Sequence, residues 1–82
     1  MMQTMRFYDA SAKMQEGYRI SRVKWNDSAW LRYSVETVGR RTVSHITVVS
    51  DGKECPWEPT YEDIIADDWI LVGFENREES YI

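Results

Sequence analysis

Cysteine occurs once in this 82-residue chain, histidine once and proline twice. A lone thiol, Cys55, rules out the internal disulfide that small secreted domains lean on, which points to the cytoplasm. One histidine and one cysteine cannot build a tetrahedral metal site without carboxylates at a matching spacing, and the chain shows no such spacing, so no metal is expected; no other cofactor is expected either. No apolar run approaches the roughly 18 residues needed to cross a bilayer, and the N-terminus lacks the pattern of a signal peptide. No membrane partner is expected.

Size is short as well. A chain of 82 residues makes one domain, residues 1–82, and near this length folding buries only about 60% of the unfolded surface. The core is therefore thin, and self-association is a common way to strengthen such a domain. What the chain does have is apolar residues (43%) and aromatic residues (13%). These place it among folded proteins rather than disordered ones, since large rings bury much area per residue.

The net charge of -4 hides an uneven distribution. Between residues 18 and 41 six cations, Arg19, Arg22, Lys24, Arg32, Arg40 and Arg41, face two carboxylates, a surplus of four. Between residues 51 and 79 only Lys53 and Arg77 face ten carboxylates, a deficit of eight. Two uses are open: the halves pair within the fold or between subunits, or a few arginines hold the phosphates of a small ligand. A long nucleic acid is not expected, because the acidic half repels a polyanion.

Phe7, Ala10, Met14 and Tyr18 recur at helical spacing, with Gly17 placed as a stop, which predicts an amphipathic helix over 5–16. "YRISRVKW" predicts a strand over 18–25, ended by a turn at 26–28. In the next strand, 29–38, alternation sets Ala29, Leu31, Tyr33 and Val35 on one face and Trp30, Arg32, Ser34 and Glu36 on the other. Trp30 on a polar face is open to three readings: a subunit contact, a ligand-stacking ring, or a ring covered by the helix. A turn at Gly39–Arg40 leads to "TVSHITVVS", and Asp51-Gly52 is the strongest hairpin signal in the chain. A two-residue turn there sets Val48 opposite Cys55 and leaves His45 on the other face from Cys55, which argues against a cysteine–histidine nucleophile.

The segment "PWEPTYEDIIADDW", residues 56–69, holds both prolines, two of four tryptophans and five carboxylates. Thr60 and Asp63 form a capping box, Ile64 is set to fold back on Pro59 as a staple, and a short helix over 61–66 follows. "WILVGF" at 69–74 is apolar on both faces, the pattern of a strand in the middle of a sheet. The tail, 75–82, is polar and expected to be solvated. The fold class is α+β: an N-terminal amphipathic helix packed on a small antiparallel β-meander, with a short second helix before the last strand.

The same segment resembles the second type of Thoeris anti-defence protein, a family of small phage and prophage proteins. The resemblance rests on Pro56-Trp57-Glu58-Pro59-Thr60, Asp63-Ile64-Ile65 and Ala66-Asp67-Asp68-Trp69, joined by Phe7, Ala10, Met14, Gly17, Arg22, Val23, Trp25 and Asn26. Two positions depart from the pattern: Arg6 stands where the family has a Ser or Thr cap, and Lys24 where glycine is common. The resemblance implies a homo-oligomer, typically a tetramer, that sequesters a cyclic ADP-ribose immune signal without cleaving it. Some members also hold cyclic dinucleotides. It further implies Trp25 and Trp57 as stacking or pocket-wall rings, Asn26 and Asp63 as hydrogen-bonding groups, and Arg22 as a phosphate or interface cation. Each has a structural alternative: Asp63 as a helix cap, the tryptophans as core rings. Rival functions are an enzyme that hydrolyses the signal, drafting Asp63, Asp67 and Asp68, and an inhibitor that covers a host protein.

Overall fold

The structure of the chain, a computed structural model, describes residues 3–74. The expected polar tail lies outside the described residues. A helix, α1 (Phe7–Gln15), is followed by β1 (Tyr18–Arg22), a 3-10 turn (Val23–Trp25), β2 (Ala29–Val38), β3 (Arg41–Ser50), β4 (Lys53–Pro56), a second helix α2 (Tyr61–Ile65) and β5 (Trp69–Phe74). The strands form one antiparallel sheet in the order β4-β3-β2-β1-β5, so the fold is α+β as expected. Among the described residues no helix is long and apolar enough to cross a membrane.

α1 begins two residues later than its periodicity suggests. Met5 is held extended by an exchange of backbone hydrogen bonds with Trp69, 2.8 and 3.1 Å, and Arg6 caps the helix without a side-chain bond. The apolar stripe then does what its spacing requires, burying Ala10 and Met14 completely or nearly so against Ile20, Leu31 and Trp69. Gly17 ends the helix at φ +111°, where a Cβ would meet the Phe74 ring at 3.2 Å. The strand expected to run on to Trp25 stops at Arg22, because Asp68 accepts the Val23 and Lys24 N–H groups and turns the chain into the 3-10 turn.

Both hairpin turns hold. Val38 pairs with Arg41, and Ser50 with Lys53, around an Asp51-Gly52 turn with both φ values positive, which sets Val48 opposite Cys55. The alternation along β2 is also correct, yet only Leu31 is fully buried, while Val35 is 48% exposed. β1 pairs with β2 at Ile20–Leu31 and β4 stops opposite Thr47, so the far half of the β2–β3 hairpin is a two-stranded arm outside the cover of α1. Trp30 is not covered by the helix. It lies on the opposite sheet face, with the Arg19 guanidinium 4.2 Å above its ring.

β5 is not the central strand its sequence suggests; it is an edge, paired only with β1 apart from the single bridge at Met5. Trp69 and Ile70 are buried, but Leu71, Val72 and Phe74 are 37%, 39% and 51% exposed. Two devices blunt this edge. Met5 occupies the outward groups of Trp69, and Val72 is an extra residue between the pairs Ile20–Leu71 and Arg19–Gly73, a bulge that interrupts the ladder.

Replacing Gly17 by Ala is expected to destabilise the fold by about 1–3 kcal/mol, since strained backbone and a crowded Phe74 act together. Gly39→Ala, where nothing lies within 4 Å, adds strain alone. Chemical denaturation of both variants checks this; equal losses would show that the Phe74 contact carries no weight.

Candidate functional site

Four rings gather where α1, the 3-10 turn and the start of β5 meet. Fully buried Trp69 touches each of the others: Phe7 at 5.2 Å, Trp25 at 5.4 Å and Trp57 at 6.2 Å between centroids. Trp25 and Trp57, both partly buried, sit edge to face at 6.3 Å. Edge-to-face geometry suits the ring quadrupoles and leaves part of each outer ring in contact with solvent. Asn26 follows Trp25 in the left-handed region, φ 53°, and is exposed. The turn thus presents an indole and an amide side by side.

Beneath the rings lies a buried charge cluster. Arg22 at the end of β1 is 7% exposed and donates from Nε to Asp68 Oδ1 at 2.8 Å and from Nη1 to Asp63 Oδ1 at 3.1 Å. Asp63 Oδ2 accepts from the Thr60 backbone N–H at 3.1 Å and from its hydroxyl at 2.9 Å, while Thr60 Oγ1 accepts the Asp63 N–H. This is the expected capping box. Asp68 Oδ2 accepts the Lys24 N–H at 3.1 Å, and the Asp63 carbonyl accepts from Trp69 Nε1 at 3.0 Å. Among the described residues no buried side-chain polar atom lacks a partner.

Burial disfavours charge on all three groups, but their mutual contacts win. Desolvation raises the Asp63 carboxyl, yet Thr60 donation and the Arg22 guanidinium bring it below the usual range. The same burial is outweighed at Asp68 by Arg22 and the Lys24 N–H. Desolvation lowers Arg22, and the Asp68 and Asp63 contacts raise it above its ordinary value. The cluster is therefore fully ionised at neutral pH.

The expected site residues thus divide into two layers. Trp25, Asn26 and Trp57 form an outer layer at the surface. Arg22 and Asp63 lie in an inner layer, paired with one another. Sequence reasoning had Asp68 in the family motif and in the rival catalytic set but not as the closer partner of Arg22, and had Phe7 in the helix stripe and the motif but not against Trp69. No local signal ties Asp68 to Arg22, which lies 46 residues earlier in the chain. The charge halves do attract each other: Lys24 meets Glu62 at 2.8 Å and Arg32 pairs with Glu54, each joining a basic-half cation to an acidic-half carboxylate.

Other surfaces are less suited to an anion. An open groove of about 650 Å³ along the start of α1 is bordered by Arg6, Lys13, Asp9 and Asp67, two charges of each sign. His45 and exposed Cys55 border a shallow depression beside the β4 edge. Among the described residues no group of three or more His, Cys, Asp and Glu side chains is placed to hold a metal.

A family model described as a Thoeris anti-defense 2-like domain matches residues 5–72. No curated protein matches the chain.

Arg22→Met leaves two carboxylates in the fold without their cation and is expected to cost about 3–5 kcal/mol. Asp63 and Asp68 lie below their ordinary value of 3.8 in the fold. Their contribution is thus present above that pH and is lost as pH falls through the lower folded values. In Arg22→Met the carboxyls rise, so the acid loss of stability begins at higher pH. Urea unfolding of both proteins from pH 3 to 7 checks this, and superimposable pH profiles would refute the guanidinium's role.

Proposed function

Since the chain belongs to the Thoeris anti-defense 2-like family and thereby has an anti-defence role, we propose that it is a phage sponge. It binds a cyclic nucleotide immune signal of the glycocyclic ADP-ribose class in the host cytoplasm and holds it uncleaved, as a homo-oligomer. The observation that carries this reading is the outer ring pair, Trp25 and Trp57, held edge to face on buried Trp69 with Asn26 alongside. Such rings offer purine bases a stacking surface, and the amide offers a partner to ribose hydroxyls. Arg22 and Asp63 act below, fixing Trp69 and α2 rather than meeting the ligand directly.

Sequestration fits the carboxylates better than turnover does. Arg22 lowers the basicity of Asp63 and Asp68, and both oxygens of each are already occupied, so neither is poised as the general base that hydrolysis needs. A second reading, inhibition of a host protein, is favoured by one observation: Tyr61, Ile64 and Ile65 on α2 are 77%, 50% and 60% exposed. Ile64, expected to fold back on Pro59 as a staple, is half in solvent.

Protein incubated with glycocyclic ADP-ribose, filtered and heat-denatured is expected to release intact ligand in proportion to protein, read by chromatography. Cleaved product would make the chain an enzyme; no depletion would withdraw this ligand. Asn26→Gly keeps the left-handed backbone and removes only the amide, so weaker capture at unchanged stability is expected. Trp57→Ala should lower capture further, by about ten-fold or more if one stacked base is lost.

A further inference from the structure

The outer ring pair is bordered by carboxylates. Glu58 follows Trp57 directly and is exposed, and Glu62 stands in the first turn of α2. Arg22 does not offset them at the surface, because it is enclosed between Asp63 and Asp68. A surface suited to stacking a base therefore lies in a local field of the wrong sign for the phosphates that a nucleotide carries. Other cations are placed elsewhere: Arg19 and Arg32 belong with Trp30 to the opposite sheet face, and Arg40 and Arg41 to the tip of the β2–β3 arm.

Lys24 is the side chain placed to reverse that field. It directly precedes Trp25, and its backbone N–H is fixed by Asp68 Oδ2 at 3.1 Å. Its Nζ donates to Glu62 Oε2 at 2.8 Å. This pair joins the same two segments as the Trp25–Trp57 ring contact: the 3-10 turn on one side and the run from Trp57 into α2 on the other. The hydrogen bond from Lys24 draws the Glu62 carboxyl below its ordinary value of 4.5, so Glu62 is ionised at neutral pH and holds the ammonium in the absence of a better acceptor. Its hold is weak. The two side chains are 55% and 67% exposed, and a pair so open to water contributes little.

We propose that Lys24 is a phosphate-binding residue of the ring site, with Glu62 as its resting partner: the ammonium swings on its flexible four-carbon stem from Glu62 to a phosphate of the nucleotide stacked on Trp25 and Trp57. The backbone stays in place during the exchange, since Asp68 holds the Lys24 N–H whichever acceptor the side chain meets. The contact makes the site selective for a phosphorylated ligand over a bare nucleoside. The identity of the nucleotide rests on the function proposed above; the affinity of Lys24 for a phosphate group does not.

Every variant in the test keeps the backbone N–H that Asp68 accepts, so urea unfolding should show parent-like stability. Capture of glycocyclic ADP-ribose is expected to fall about ten-fold or more in Lys24→Met, to stay near the parent in Lys24→Arg, and to rise about two- to five-fold in Glu62→Gln, where the competing carboxylate is gone. The deciding variant carries Lys24→Met and Glu62→Gln together. Capture that stays below the parent shows that the ammonium meets the phosphate. A return to parent capture would mean that Lys24 only screens Glu62, and would overturn the proposal, as would unchanged capture by Lys24→Met alone. A second measurement is independent of the nucleotide. The chain has three lysines, Lys13, Lys24 and Lys53, and on titration with inorganic pyrophosphate the Lys24 side-chain NMR signal should shift saturably and ahead of the other two. An equal response from all three, or none, would count against a phosphate site at Lys24. A parent that captures no glycocyclic ADP-ribose while Lys24 still responds selectively to pyrophosphate would sink the proposed function and leave this assignment standing.

Discussion

A guanidinium withdrawn from water is the constraint on which this fold depends. Arg22 ends β1 with its charge almost wholly enclosed, and an enclosed cation is tolerated only when carboxylates and hydrogen bonds replace the lost hydration. Asp63 and Asp68 do this from two different elements, over forty residues further along the chain. Their contacts decide where α2 sits, where β5 begins and where β1 must stop, since Asp68 also accepts the Lys24 N–H that opens the 3-10 turn. The ring cluster is a consequence. Trp69 is anchored through its indole N–H to the Asp63 carbonyl and lies 5.9 Å from the Arg22 guanidinium, so Trp25 and Trp57 pack on a ring tied to the charge cluster.

The same constraint explains an inversion in α2. A helix of five residues with three large apolar side chains would ordinarily turn them inward. Here Asp63 is the buried member, because Arg22 and the capping box both need it there, and Tyr61, Ile64 and Ile65 are left at the surface. An electrostatic demand in the interior has therefore set the hydrophobic character of the exterior. The exposed arm valines have a different origin, in strand length: β2 and β3 run ten residues each while β4 has four and β1 five.

What could be read from the sequence was local. Gly17 as a helix stop, Asp51-Gly52 as a two-residue turn and Thr60 with Asp63 as a capping box are each specified by residues within a few positions of one another, and each stands where expected. The family pattern across residues 56–69 was legible for the same reason. Order within the sheet was not. "WILVGF" is apolar on both faces, but periodicity reports only which faces are apolar, not how many neighbours a strand has, and β5 lies at the edge. Nor did any local signal tell that Arg22 would choose Asp63 and Asp68 over solvent or a ligand, since pairs so far apart in sequence are fixed by topology alone. The candidate site was half visible: Trp25, Asn26 and Trp57 by motif, the pairing of Asp68 with Arg22 and the packing of Phe7 on Trp69 only after the chain was folded.

A buried ion cluster adds little net stability compared with a well-packed apolar core, so its presence in a domain this thin needs another reason. Its geometric effect supplies one. Hydrogen bonds from a planar guanidinium to two carboxylates fix direction as well as distance, which methyl groups cannot do. The rings above are thereby held in one arrangement, and a pre-organised surface avoids the ordering cost that weakens flexible binders. For the sponge proposed above, where each molecule captured must stay captured, that rigidity is worth more than the stability a larger apolar core could add.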